Sequence, residues 1–103
     1  QSPYSRSLSP QSARSVVDYL RAYAPIKDES GLRILASLWR NHPLARAAMA
    51  EYYSRTPATA FLADKLMHRT RLQIAGLPQS ACPAQCQELL DQCEANLQRI
   101  KEP

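Results

Sequence analysis

Apolar residues along this chain recur at intervals of three and four, and prolines interrupt the pattern. That period is the signature of amphipathic helices. Val16, Leu20 and Tyr23, widened by Val17 and Ala24, predict a first helix over 12–24. Pro25 ends it, because the residue before a proline is pushed out of the helical region. A second helix follows the turn 26–30, where acidic residues suit the positive end of a helix dipole. Leu32, Leu35, Leu38 and Trp39 form its buried stripe, with Ile34 beside it. Asn41 or His42 caps a third helix and Pro43 takes its first position, where a missing N–H costs nothing. That helix runs to Arg55 with Leu44, Ala47, Ala48 and Tyr52 inward. Thr56 and Pro57 open a fourth, with Phe61, Leu62, Leu66 and Met67 on its core side. Gly76 supplies a left-handed residue after it, and Pro78 blocks continuation. The fifth predicted helix is the longest, from Pro83 to Lys101.

The expected fold is therefore all-α: a compact bundle of about five short helices, the C-terminal one longer. Composition agrees, with 15 Ala and 13 Leu against 2 Val and 4 Ile. Ala and Leu favour helices and β-branched residues favour strands. Residues 1–11, rich in Ser and Pro, read as a flexible arm, and 12–103 as a single helical domain. The N-H-P, R-T-P and A-C-P starts share no fixed repeat, so no solenoid is expected. No run approaches the roughly 20 apolar residues that span a bilayer.

In the fifth helix, Cys86, Leu90, Cys93, Leu97 and Ile100 follow spacings of four and three. That seam suits packing on the bundle, or self-association with a second helix. Cys86 and Cys93 lie about 10 Å apart along a helix axis. A disulfide needs Cα atoms within about 7 Å, so these two cannot pair. Cys82, just before the helix, is within reach of Cys86 as a local staple. Cys93 is then a free thiol, buried in the core or paired between chains. C-x3-C-x6-C lacks the second close pair of a structural zinc site, so no metal is expected even with His42 or His68 as fourth ligand. It also lacks thioredoxin-type spacing.

The net charge is +4, unevenly spread. Residues 1–78 hold 11 Lys and Arg against 5 Asp and Glu; residues 79–103 hold 2 against 4. Ten of the thirteen cations are Arg, which favours fixed contacts with carboxylates or phosphates. Lys65, His68 and Arg69, with Arg71 nearby, make the best basic cluster for phosphate. Arg33, Arg40 and Arg46 extend it. Trp39, Tyr52 and Tyr53 are residue types that binding hot spots favour, and adjacent tyrosines on a helix cannot both point into a core. No nucleophile elbow, P-loop, zinc-protease helix or dinucleotide fingerprint occurs, and Glu51 and Asp64 are expected to be single carboxylates without a partner. No enzymatic activity and no cofactor are expected.

The polar start and the three cysteines suggest a periplasmic or secreted protein. The expected function is a small exported helical protein-binding module, such as an inhibitor, an immunity-type protein, or an envelope or secretion adaptor. Its expected binding residues are Trp39, Arg40, Tyr52, Tyr53, Lys65, His68, Arg69 and Arg71. The alternative is a cytoplasmic nucleic-acid-binding module that uses the basic face of the fourth helix.

Overall fold

The computed structural model describes residues 25–78 and 83–102, the side chains of Leu38 and Trp39 excepted. The expected arm over 1–11, the first predicted helix and Cys82 lie outside these residues. The remaining four predicted helices are all present, and no strand occurs among the described residues. They are α1 (Glu29–Trp39), α2 (Pro43–Tyr53), α3 (Ala60–Ile74) and α4 (Pro83–Lys101).

Local chemistry sets where each helix starts. Asp28 caps α1: its carboxylate accepts from the Gly31 N–H at 3.0 Å. His42, rather than Asn41, caps α2, with Nδ1 accepting from the Leu44 N–H at 3.1 Å. Pro43 occupies the first position, as expected. Pro57 opens a single 3-10 turn, Pro57–Thr59, before α3 begins at Ala60. The Thr59 hydroxyl donates to the Tyr53 carbonyl at 2.7 Å and ties that turn to the end of α2.

The central element is α2, which packs against α1, α3 and α4; α3 and α4 also meet each other. Seven of its eleven residues are buried, among them Ala45, Ala47, Ala48 and Ala50. The small side chains of its alanines let three neighbours approach one axis. Leu35, Leu44, Leu90, Cys86 and Cys93 complete the fully buried centre. Burying each of those leucines contributes about 1.5–3 kcal/mol.

Three expectations are corrected here. Phe61 and Leu62 do not face the core: the buried positions of α3 are Ala63, Met67 and Thr70, with Ala60, Leu66 and Ile74 partly covered. Ala63 and Thr70 are small enough for the helix to sit close to α2 and α4. The Thr70 hydroxyl donates back to the Leu66 carbonyl at 2.6 Å, so its polar atom is satisfied inside the fold. Gly76 is not left-handed; α3 ends instead in a tightened turn, Leu77 N–H to the Ile74 carbonyl at 3.2 Å. Third, of the two uses expected for the α4 seam, packing on the bundle is the one found, and self-association through it is corrected. Cys86, Leu90, Cys93 and Leu97 are buried and Ile100 is half-buried, so this stripe offers no face to a second copy. Leu89 and Asn96 are buried beside it, which widens the stripe to suit a globular core.

Candidate interaction surface and polar knot

Where α2 meets α4, a polar knot is built on Glu51. Glu51 is 5 % exposed. Arg55, one turn on, grips it with both arms of its guanidinium, Nε at 3.0 Å to Oε2 and Nη2 to Oε1. Asn96 of α4 donates to Glu51 Oε2 at 3.3 Å and to Ser54 Oγ at 2.9 Å. The Ser54 hydroxyl in turn donates to the Glu51 carbonyl. Gln92 and Arg99 donate to the Asn96 amide oxygen and hold it in that orientation. Hydrogen bonding to Glu51 holds the Arg55 guanidinium more firmly charged than usual, against some desolvation. Arg55 also lies over the Tyr52 ring, 5.1 Å from its centre. Pro25, Glu51, Arg55, Gln85, Glu88, Leu89 and Gln92 line an open cleft of about 500 Å³ beside the knot. Every polar atom named in the knot has a partner within the chain. Its chemistry is that of a buried carboxylate held by a partly exposed guanidinium and supported by hydrogen bonds, which fixes how α4 sits on α2.

Cys93 lies next to this knot. Its thiol donates to the Ala50 carbonyl at 3.4 Å and is completely buried. Burial pushes it up to about 11, only partly opposed by hydrogen bonding to Ser54. Of the two expected states of Cys93, the buried core thiol is the one found; a neutral thiol inside the core is neither nucleophilic nor reachable, against pairing between chains. Among the described residues there is no disulfide, and Cys86, the other half of the expected staple, is buried in the core.

The basic residues are dispersed among different tasks. Arg71 is three-quarters buried and bridges α3 to α4, with Glu94 at 2.7 Å and Asp91 at 3.4 Å. Arg46 locks the α1–α2 corner to α3 through the Arg40 carbonyl, Asn41 Oδ1 and Gln73 Oε1, at 3.0–3.1 Å. Arg33 pairs with Glu29. Tyr52 and Tyr53 are half-buried at the rim of the core, their rings edge to face at 6.4 Å. Arg40 is exposed at the end of α1, and the Trp39 side chain lies outside the described part. Among the described residues, the expected binding residues therefore do not converge on one site.

Three of them do share a surface. Lys65, His68 and Arg69 are exposed on the outward side of α3. Phe61 and Leu72 fall on that same side, in the register i, i+4, i+7, i+11 with Lys65 and His68. They are 62 % and 80 % exposed, and Leu62 flanks them at 40 %. These are the exposed large apolar side chains among the described residues. Neither Lys65 nor Arg69 has an ion-pair partner among the described residues; His68 lies 3.5 Å from Asp64 at the edge of the face. Sequence reasoning missed the surface because it assigned Phe61 and Leu62 to the core. The Glu51–Arg55 pair had a signal in the sequence, opposite charges four residues apart on a helix; Asn96 had none.

No protein-family model, curated protein or solved structure matches this chain. No helix among the described residues is long and apolar enough to cross a membrane.

Proposed function

We propose that this chain is a protein-binding helical module whose docking surface is the outer face of α3. The observation that supports this is the pairing of Phe61 and Leu72, both largely exposed, with unpaired cations between them. Single exposed apolar side chains are ordinary. Three on one helix face, around Lys65 and Arg69, which have no ion-pair partner among the described residues, are the composition of an interface patch with apolar anchors. The nucleic-acid reading gains no specific support, since Arg71 and Arg46 are committed to holding the helices together.

The test is photo-crosslinking in the native host with a photoreactive residue at position 72, against a control at Gln98 on α4. The partner captured only at 72 is identified, purified and titrated with the protein. Leu72→Asp lowers its affinity by about tenfold or more, since a buried leucine contributes well over 1 kcal/mol. Unchanged affinity of that partner for Leu72→Asp refutes the reading.

A further inference from the structure

Resting on that reading, we infer that the occupant of the α3 face is an acidic amphipathic helix of another protein. Phe61 and Leu72 lie about 16 Å apart along the axis, close to three helical turns. Between them stand Lys65, in the middle of the face, and His68 and Arg69 to either side. An extended apolar groove would take any hydrophobic segment; this face does not resemble one. It offers two apolar anchors separated by positive charge, and its complement is a rod with apolar residues about three turns apart and carboxylates on the turns between. A helix supplies that spacing on one side without bending.

A second copy of the chain fits poorly. Two α3 faces laid together bring Lys65 and Arg69 of one copy onto the cations of the other, where like charges cost affinity. The acidic surface on α4 exposes no large apolar side chain for Phe61 and Leu72 to bury against, and its Asp91 and Glu94 already hold Arg71. Nor is the face a strong phosphate surface, with two unpaired cations set among leucines.

The probe is a helix-stapled peptide of about 18 residues, with two leucines about three turns apart and glutamates between them. Its companions carry lysine or glutamine in place of the glutamates. Fluorescence anisotropy on the full chain should show saturable binding of the acidic peptide that weakens with salt, and about tenfold weaker binding of the glutamine version. Lys65→Glu with Arg69→Glu, both exposed positions, should lose the acidic peptide and gain the lysine peptide. That reversal cannot come from misfolding, and Leu72→Asp should weaken both combinations. Equal binding of all three peptides, still dependent on Leu72, overturns the acidic partner while leaving the docking face intact. Failure of every peptide to bind also overturns it, and the crosslink at position 72 then decides the docking reading separately. Leu72-dependent binding to phosphatidylglycerol vesicles, to duplex DNA, or to a second copy by sedimentation, without binding of the acidic peptide, overturns it as well.

Discussion

Replacing Asn96 with alanine should cost more than its modest place in the sequence implies. The side chain is 9 % exposed and donates inward to the Glu51 carboxylate and the Ser54 hydroxyl. Its outward bonds, from Gln92 and Arg99, involve exposed residues that water can serve instead. A neutral hydrogen bond contributes about 1 kcal/mol and one to a charged group about 1.5–3 kcal/mol. The inward pair together should therefore be worth about 3 kcal/mol. In a domain of this size each 1 kcal/mol shifts Tm by about 4–8 °C, so a drop of at least about 12 °C is expected. Thermal and urea unfolding followed by circular dichroism read both quantities. A second variant separates the polar effect from lost packing. Asn96→Leu alone leaves a buried carboxylate short of a donor, whereas Asn96→Leu with Glu51→Met removes the need for one. The double variant should thus be more stable than the sum of the single losses predicts, by about 1 kcal/mol or more. A loss below about 1 kcal/mol for Asn96→Ala, or additivity within about 0.5 kcal/mol in the cycle, refutes the knot as the device that seats α4.

Two pH-dependent outcomes follow from the cap and the thiol. Desolvation lowers the pKa of His42 below the ordinary histidine value, and its Nδ1 must stay unprotonated to accept from Leu44. The unfolded chain then takes up the proton first, so stability is complete above about pH 6.5 and declines as pH falls below it. His42→Asn keeps a cap and should flatten that slope in urea midpoints between pH 7 and 5; an unchanged slope argues against the cap as its origin. The Cys93 thiol is raised to about 11, so its contribution is complete below the unfolded thiol's value, about 8.5, and is lost as pH rises toward 11. Cys93→Ala should remove that alkaline loss while lowering stability at pH 7, and rapid alkylation of native Cys93 by iodoacetamide at pH 8 would contradict its burial.

The local punctuation of the helices could be read from residue types because it is short-range. Pro43 and Pro57 sit at helix starts, where a missing N–H costs nothing, and the residue before each is pushed out of the helical region and so falls at the cap. The seam of α4 followed from period alone, and its first four members are buried in the core. Faces were harder. In α3 the apolar residues occupy both sides, Met67 and Ile74 on one and Phe61 and Leu72 on the other. Hydrophobicity favoured Phe61 and Leu62 as the core side; packing chose Ala63 and Thr70. A helix that must lie against both α2 and α4 needs small contacts more than large ones, and that constraint exists only once the neighbours are in place.

The same division runs through the charges. Composition and spacing along the chain establish an all-α protein with a basic first three-quarters and a capped, proline-punctuated helix order, since each of these depends on neighbours within a turn. Tertiary structure alone decides which arginines are committed and which are available. Arg71 meets Glu94 across 23 positions of sequence, and Asn96 meets Glu51 across 45. Pairings at that separation carry no local period. They arise because α2 brings the other helices to its alanine-rich surface, and Lys65 and Arg69, without an ion-pair partner among the described residues, are left on the outside of α3, the face we propose for a partner.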